Sequence, residues 1–378
     1  MDRFEINKES PIPLHEQLLN ELRRLILTGE LKPNTPVVSE PRLASTLNVS
    51  RTTIRQAWQV AEQEGLLYRV HGKGTYIAEP GQVRTGRLIG FLIPNFRSTF
   101  DSQLLSGAEG FLRERGYRVL FAHTDRNVPE ENRLMSEMVQ EGVIGFLLWP
   151  AMSTDSPRFL EELRTRNIPV VFLDRPVPGL DYPCVAANHY QGGVSAVKHL
   201  IGLGHKDIGF VARPHMALWS ISERWRAYED TMRAAGLPVR PPMLVGDTSE
   251  LGTRHAQQYY TEIRGQEISQ LQAIFRQPDR PTAIFAMNDL MALQIIRAAN
   301  LVGLKLPNDL SLVGFDDLEI VSHIEPPLTT VVQEPFRIGA EAARCLLDMN
   351  GGRQPPDNLI LLPTRLIVRN STSQLGTP

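Results

Sequence analysis

The feature that most constrains this 378-residue chain is an alternation of short apolar runs and amphipathic stretches that begins at Leu88 and continues almost to the end. Such an alternation predicts repeated βα units, which build a parallel sheet. Helices are expected between the strands, for example from Asp101 to Arg115 and from Asp289 to Val302. The predicted strands run from Leu88 to Pro94, Tyr117 to His123, Val143 to Trp149, Pro169 to Asp174, Ile208 to Ala212, Met243 to Asp247, Ala283 to Met287 and Leu312 to Phe315.

This many βα units favours an α/β fold with two doubly wound sheets over a single sheet. Ligands of such folds bind at the carboxyl ends of the strands. The residues that follow the predicted strands are polar or aromatic, namely Asn95 to Phe100, Asp125, Trp149, Asp174, Arg175, Asn188, Asn288, Asp289, Asp316 and Asp317. Because strand ends also precede helices, capping of the next helix is the alternative role for any single Asn or Asp.

Before Leu88 the periodicity is helical. The apolar residues of a first predicted helix are Leu14, Leu18, Leu22, Leu25 and Ile26. Gly29 and then Pro33 end this helix, while Ser39 and Ser50 can each cap a further helix. The last of the three would turn a set of apolar residues inward, namely Ile54, Ala57, Trp58 and Ala61. Two short helices separated by a turn predict a helix-turn-helix unit.

The outward face of the third predicted helix carries Arg51, Arg55 and Gln59. An arginine near the start of a helix that follows a turn suits bidentate contacts with guanine in the major groove. Thr52 and Thr53, together with the helix N-terminus, suit contacts with phosphates. A solvated helix face is the alternative interpretation.

After Gly65, two short predicted strands surround a glycine-containing turn, which is typical of a hairpin. The tip of this wing would place His71, Gly72 and Lys73 near a phosphate backbone or a minor groove, although an ordinary turn explains these residues as well. Local charge favours DNA, because the residues from Arg42 to Gly74 include five basic side chains against two acidic ones.

These motifs resemble the winged-helix domain of GntR-type regulators. The resemblance covers Leu14 to Ile77 and includes the segments Val49 to Arg55, Glu64 to Leu66 and Gly72 to Thr75. It implies DNA contacts at the matching positions, which are Arg51, Thr53, Arg55, His71 and Gly72. Val38 departs from the usual proline of the family, and Pro41 stands where some members place a basic residue. The part of the second helix in recognition is therefore less defined than that of the third.

Bulk properties indicate a globular protein of two or three domains, with a formal charge of −2. No apolar run approaches the roughly 18 residues of a membrane helix, and the first residues do not begin one. Cys184 and Cys345 form neither a disulfide framework nor the paired pattern of a zinc site. A cytoplasmic protein without metal or other cofactor is expected.

The span from Arg87 to about Ser371 resembles the sensor domain of LacI/GalR-type repressors, which is similar to periplasmic sugar-binding proteins. The matching segments are Ile89 to Pro94, Gly107, Gly116 to Tyr117, Leu203 to His205, Pro281 to Asp289, Val313 to Asp317, Pro326 to Val331 and Leu362 to Leu366. The resemblance implies two lobes that are joined by three chain crossings, with the ligand between the lobes. The crossings are expected near Asn188, Gln333 and Asn358.

The expected organisation is a DNA-binding domain over residues 1–78, a linker over 79–87 and an effector-binding domain over 88–371. Within the effector-binding domain, one lobe comprises residues 88–188 and 334–357. The other lobe comprises residues 189–333 and 358–371.

The effector contacts that this resemblance implies are Phe100, Ser220, Arg224, Asn288, Asp316 and Gln333, and Trp149 and Arg175 join them as strand-end candidates. The chemistry suits a polyol, since Arg224 can donate two hydrogen bonds and Asp316 can accept a pair from adjacent hydroxyls. An aromatic face can cover the C–H side of a sugar. Phe100, Trp149 and Trp219 are the candidates for that role, although Trp149 and Trp219 also fit core or interface positions.

A DNA-reading module joined to a sugar-sensing module predicts a ligand-responsive transcriptional repressor. A homodimer would place two recognition helices on a palindromic operator. The combination resembles the arabinose-responsive repressors of bacteria, which implies L-arabinose or another pentose as effector. Corepression, or a different ligand such as a sugar phosphate or nucleobase, is the alternative.

Two other classes of protein are less consistent with the sequence. Some GntR-type proteins carry an aminotransferase-like domain with pyridoxal phosphate, but this chain has no nucleophile elbow, zinc-protease motif or phosphate loop. A transport receptor would leave the segment before Leu88 unexplained. We therefore expect a protein that is not an enzyme.

Overall fold

The computed structural model describes residues 4, 6–7, 10, 12–63, 65–70, 74–78, 87–96, 98–151, 157–246 and 256–376. The chain divides into two compact units, Met1–Arg87 and Leu88–Pro378. None of the helices in these ranges is long and apolar enough to cross a membrane.

In the described part of the first unit, three helices precede a hairpin, and their bounds are α1 Leu14–Leu27, α2 Glu40–Leu47, α3 Arg51–Gln63, β1 Leu67–Val70 and β2 Gly74–Ile77. The two strands pair antiparallel, with Leu67 opposite Ile77. Asn48 follows α2 in a left-handed conformation with φ of 51°. This conformation turns the chain into α3, so α2 and α3 form the predicted helix-turn-helix.

Apolar residues on one face of each helix build the core of this unit. Leu18 and Leu22 of α1 and Ile54 and Trp58 of α3 are each at most 1% exposed. Burial of these large side chains supplies the main free energy that holds the helices together, at about 25 cal/mol per Å² of apolar surface. The inward faces predicted from helical spacing are therefore confirmed.

The two predicted serine caps have different outcomes. The Ser50 hydroxyl accepts a hydrogen bond from the Thr53 N–H at 3.0 Å, so this cap is confirmed. Ser39 precedes α2, but its side chain makes no capping hydrogen bond, so this prediction is wrong. Pro41 removes one of the two possible donors, because a proline has no N–H, and the Arg42 N–H is not bonded to Ser39 either.

Over its described ranges, the second unit contains two six-stranded sheets. The elements of its first half are β3 Leu88–Ile93, α4 Thr99–Arg113, β4 Arg118–His123, α5 Val128–Gln140, β5 Val143–Leu148, α6 Pro157–Thr165, β6 Val170–Leu173 and β7 Cys184–Ala187. Those of its second half are α7 His189–Gly202, β8 Ile208–Ala212, α8 Trp219–Ala234, β9 Met243–Leu244, α9 Ala256–Phe275, β10 Ala283–Ala286, α10 Asp289–Leu301, β11 Ser311–Asp316, a 3-10 turn Glu319–Ser322, β12 Thr329–Val332, α11 Pro335–Asn350, β13 Leu359–Leu362 and β14 Arg365–Ile367.

The strand order is β13-β7-β6-β5-β3-β4 in the first sheet and β14-β12-β11-β10-β8-β9 in the second. All neighbours are parallel except β14, which pairs antiparallel with β12. The prediction of two doubly wound sheets is confirmed. The sequence patterns missed β7, β12, β13 and β14, which are four residues long or shorter and lie towards one side of each sheet.

The chain passes between the two sheets at three places. It leaves the first sheet after β7 at residue 188, returns after β12 at residues 333–334, and leaves again between β13 and β14 at residues 363–364. A third crossing near Asn358 is therefore wrong. The reason is that β13 pairs with β7 from Leu359 to Leu362, so residues 358–362 belong with the first sheet.

Helices α4 and α11 pack against each other with their backbones in close contact. A Cβ atom placed on Gly107 would lie 1.9 Å from the Phe336 carbonyl oxygen, and one on Gly339 would lie 2.0 Å from the Leu104 carbonyl oxygen. Glycine is therefore required at both positions, because any side chain there would force the helices apart.

We expect Gly107→Ala to lower the free energy of unfolding by at least about 2 kcal/mol, because the added methyl group must displace the backbone of α11. The matched control is Gly110→Ala in the same helix, where a Cβ would meet nothing within 4 Å. Alanine should stabilise that position by about 0.5–1 kcal/mol through its helix propensity. Urea unfolding measures both variants, and equal effects of the two would contradict the close packing.

Candidate effector cleft and DNA-binding surface

Helix α3 presents a polar face opposite its buried apolar residues. Arg51, Thr52, Arg55 and Gln59 are exposed, as the sequence predicted. Thr53 is half-buried, and its hydroxyl lies 2.7 Å from the Ser50 hydroxyl. Thr53 therefore takes part in the helix cap, while the four exposed side chains remain accessible to a duplex.

Glu40, at the start of α2, holds two arginines in place. One of its carboxylate oxygens lies 3.4 Å from Arg55 Nε and the other 2.9 Å from an Arg69 nitrogen. Arg69 also pairs with Glu62, and these carboxylates raise the pKa of Arg69. Exposed ion pairs add little stability, so the effect of Glu40 is mainly on side-chain position. The sequence patterns did not single out Glu40, because its partners lie far along the chain.

The wing is described only in part. His71, Gly72 and Lys73 lie outside the described residues, so their predicted role stays a prediction. On the flanking strands, the Tyr68 and Tyr76 rings stack with centroids 5.6 Å apart. The Tyr68 hydroxyl donates a hydrogen bond to Asn34 at 2.9 Å, which anchors the hairpin to the rest of the unit.

A cavity of about 250 Å³ lies between the two sheets of the second unit. Its lining combines the start of α4 with the loop that follows β11 and the second chain crossing, through Thr99, Phe100, Gln103, Asp316, Asp317, Leu318, Val332, Gln333 and Pro335. The structure thus brings together Phe100, Asp316 and Gln333, three of the predicted effector contacts. Each of these side chains comes from a different element.

Arg224, on α8, is 5% exposed and reaches the same region. Its guanidinium donates to the Met287 carbonyl oxygen and lies 3.7 Å above the centre of the Phe315 ring. One of its terminal nitrogens lies 3.6 Å from Asp316 Oδ1. Burial lowers the pKa of Arg224, and the nearby carboxylates, Asp316 first, raise it in compensation. Arg224 is therefore a buried cation that is held by several partners.

Asp316 ends β11 in a left-handed conformation with φ of 119°, which an aspartate adopts only under constraint. Its Oδ1 accepts a hydrogen bond from Gln333 Nε2 at 2.7 Å. Burial raises the pKa of Asp316 to about 6, while Arg224 and the hydrogen bond from Gln333 act in the opposite direction. The carboxyl is thus presented at the cavity with a strained backbone and a perturbed acidity.

His189, at the start of α7, was not singled out by the sequence patterns. It is 1% exposed, and its Nδ1 lies 3.2 Å from an Arg224 nitrogen. Because arginine can only donate, Nδ1 is the acceptor and the ring proton is on Nε2, 3.7 Å from Asp174 Oδ1. Burial and then Arg224 lower the pKa of His189, so the ring is neutral. His189 thus connects the two lobes.

The remaining predicted residues take more structural roles. Asn288 Oδ1 accepts from the Met291 N–H at 2.9 Å, so it caps α10, which was its alternative interpretation. Ser220 is buried in the first turn of α8. Arg175 donates to the Pro150 carbonyl oxygen and lies 3.7 Å from Asp174. Trp149 packs edge-on against Phe100, with ring centroids 5.8 Å apart.

Asp289, another residue predicted from its strand-end position, holds a neighbouring loop in place through hydrogen bonds. It accepts a hydrogen bond from the Thr330 hydroxyl at 2.6 Å and another from the Leu318 N–H at 2.8 Å. Burial raises its pKa well above the usual value, and Asp316 adds to this effect. Asp289 therefore fixes the loop that carries Asp316.

Several buried polar atoms of the predicted site residues and their neighbours have no hydrogen-bond partner within the described residues, namely Trp149 Nε1, Arg175 Nε, His189 Nε2, Arg224 Nε and Gln333 Oε1. Unsatisfied buried polar groups are uncommon because each costs about 1–3 kcal/mol. Four donors and one acceptor in this region are suited to a ligand that is rich in hydroxyl groups.

Comparisons with known proteins agree with this architecture. Residues 14–77 match the family of bacterial regulatory proteins called the gntR family, and residues 197–372 match the periplasmic binding protein-like domain. The chain is 31% identical to the arabinose metabolism transcriptional repressor of Geobacillus stearothermophilus, over 97% of this chain and 100% of that protein.

Two solved structures carry ligands. A LacI family transcriptional regulator from Enterococcus faecium with bound ribose matches with a TM-score of 0.62 and 26% identity, over 76% of this chain and 99% of that chain. The complex of the transcriptional regulator CelR with cellobiose matches with a TM-score of 0.63 and 25% identity, over 89% of this chain and 100% of that chain.

The fold and these matches define a DNA-binding transcriptional regulator with a sugar-binding domain. The chain belongs to the family of bacterial repressors in which a gntR-type DNA-binding domain is joined to a LacI-type, periplasmic-binding-protein-like domain.

The acidity of Asp316 gives a prediction about stability. Its folded-state pKa of about 6 lies above the unfolded value of about 3.9. Because the folded protein binds this proton more tightly than the unfolded chain does, the protonated carboxyl stabilises the fold fully below about pH 4. This stabilisation is lost as the pH rises through 6. Relative to Asp316→Asn, we expect the wild-type free energy of unfolding to fall by on the order of 2 kcal/mol between pH 4 and pH 7. Asp279→Asn, at an exposed carboxyl of the same lobe, is the control. Parallel stability curves for wild type and Asp316→Asn would contradict the prediction.

Proposed function

We propose that this protein is a homodimeric repressor that leaves a palindromic operator when a small sugar, such as L-arabinose, binds in the cleft. The observation that carries the proposal is the set of unsatisfied donors and acceptors beside the cavity, in a chain that also presents an exposed arginine face on a helix-turn-helix. The arabinose repressor relative and the ribose-bound neighbour support a pentose.

The proposed sugar would lie between Phe100 and the buried Arg224. Asp316 Oδ1 is already bonded to Gln333, whereas Oδ2 has no hydrogen-bond partner in the described ranges and can accept from a hydroxyl. Gln333 Oε1 can accept from a second hydroxyl, and Arg224 Nε can donate to a sugar oxygen. Phe100, 8% exposed, would cover the apolar face of the ring. The cleft would then act as a sensor and not as a catalytic site.

The sugar would act by stabilising one arrangement of the lobes over another. Asp174 belongs to the first lobe and His189 to the second, and their 3.7 Å separation shortens to a hydrogen bond if the cleft closes further. A ligand shifts such an equilibrium only by its differential affinity, which is typically about 1–3 kcal/mol. In a cytoplasmic dimer, this shift would alter the spacing of two α3 helices on adjacent half-sites.

We expect Arg55→Ala to weaken operator binding by at least about tenfold, because a bidentate arginine–guanine contact contributes about 1–3 kcal/mol. Binding of L-arabinose should be unchanged. Arg24→Ala, at an exposed arginine of α1, is the control for loss of one positive charge. Fluorescence anisotropy with a labelled operator, obtained by in vitro selection with the wild type, measures both variants. Equal affinities for Arg55→Ala and Arg24→Ala would show that α3 does not read the duplex.

Arg224→Ala should have the opposite phenotype. It should bind the operator normally, but release should need about 10–100-fold more L-arabinose, because a hydrogen bond from a buried cation is lost. Arg226→Ala, at an exposed arginine two residues further along α8, should behave as wild type. Normal operator affinity serves as the check on folding. If Arg224→Ala releases the operator at wild-type sugar concentrations, Arg224 does not bind the sugar.

A further inference from the structure

An arginine at the edge of the cleft has no role in the sugar site described above. Arg126 follows β4, the last strand of the first sheet, and its N–H donates to the Pro94 carbonyl oxygen at 3.0 Å. It is therefore fixed at the carboxyl ends of the strands, where α/β folds bind ligands. Asp125 and Arg126 are both left-handed, with φ of 48° and 63°. The backbone thus holds Arg126 in a conformation that is uncommon for an arginine.

The Arg126 side chain is unpaired. Its Nε is buried, and across the part of the chain that the structure describes the guanidinium makes no hydrogen bond and no ion pair. The neighbouring carboxylates have other partners. Asp125 lies 3.6 Å from His123, and Glu131 accepts a hydrogen bond from the Ala151 N–H at 2.7 Å. A solvated surface arginine would keep its Nε in water, so the burial of this atom indicates a specific role.

Basic side chains of both lobes are within electrostatic range of Arg126. The pKa of Arg175, in the first lobe, is lowered by burial and by the charge of Arg126, while Asp174 raises it. His215, in the second lobe, has its pKa lowered by burial and then by Arg126 and Arg213. Arg175 lies 3.7 Å from Asp174, and Arg213 lies 2.6 Å from Glu267, so these two cations are compensated. Among Arg126, Arg175 and Arg213, only Arg126 has no counter-ion within the described residues.

We propose that Arg126 forms an anion subsite at the outer end of the cleft, which binds a phosphate or carboxylate group beside the sugar. The group is either part of the sugar itself or a free anion. A guanidinium presents a planar fork of donors that matches both groups. Arg175 Nε is a second donor without a partner, and His215 of the other lobe is near enough for the charge of Arg126 to lower its pKa. An anion held there would contact both lobes and so would favour the closed cleft. This inference rests on the proposed function only because the anion would lie in the same cleft as the sugar.

The test is isothermal titration of the full-length chain with four probes: L-arabinose, L-arabinose in saturating inorganic phosphate, arabinose 5-phosphate and arabinonate. At least one anionic condition should improve affinity over L-arabinose alone by about tenfold or more in the wild type.

Arg126→Gln should abolish that gain while changing the affinity for L-arabinose alone less than twofold. Arg126→Lys should retain part of the gain, because it keeps the charge and loses the fork. Arg133→Gln, at an exposed arginine of α5 that pairs with Glu130 and Glu137, is the control for net charge and should retain all of it.

The outcome also identifies the source of the anion. A gain with arabinose 5-phosphate or arabinonate assigns the group to the sugar, and a gain with inorganic phosphate assigns it to a separate ion. If the wild type binds L-arabinose with no gain in any anionic condition, or if Arg126→Gln and Arg133→Gln behave alike, the subsite is wrong and the sugar site stands. If L-arabinose does not bind but an anionic probe binds in an Arg126-dependent way, the subsite stands and the sugar assignment fails.

Discussion

The effector cleft depends on how one buried guanidinium, that of Arg224, is compensated. A cation removed from water is stable only if carboxylates, carbonyl oxygens and aromatic faces replace its hydration. Here the compensation comes from the Met287 carbonyl oxygen, the Phe315 ring and Asp316, which lie at the ends of β10 and β11. Parallel strands bring these groups to one edge of the second sheet. The cation therefore fixes the relative positions of the loops that a ligand would contact.

The same guanidinium extends its influence to the first lobe through His189. The ring accepts from Arg224 on one side and faces Asp174 on the other, so a cation of one lobe is linked to a carboxylate of the other through a neutral imidazole. His189 directly follows the first chain crossing, where rotation of the lobes requires the least displacement. Under the proposed function, this arrangement would couple a ligand at Arg224 to the first lobe.

Sequence patterns predicted the architecture well where local signals were strong and failed where the structure depends on distant contacts. Strands rich in Val, Ile, Leu and Phe, such as β3, β5 and β11, were found, whereas β7, with the sequence Cys-Val-Ala-Ala, has a weak strand preference. Arg224 and Asp316 were found through a resemblance whose motifs are contiguous. Glu40, His189 and Arg126 were not singled out, because nothing near them in the sequence reveals which side chains they meet or lack. Asn288 shows that a cap and a ligand contact cannot be told apart from a strand-end position alone.

The third chain crossing has a consequence for how the protein is made. Strand β13 completes the first sheet, and α11 covers its core, yet both come from the last tenth or so of the chain to be synthesised. A ribosome that has released β3 to β7 has therefore produced a lobe with an open edge and an uncovered apolar face. The first lobe therefore cannot complete its sheet or cover its core until the strands β8 to β12 of the second lobe have been made.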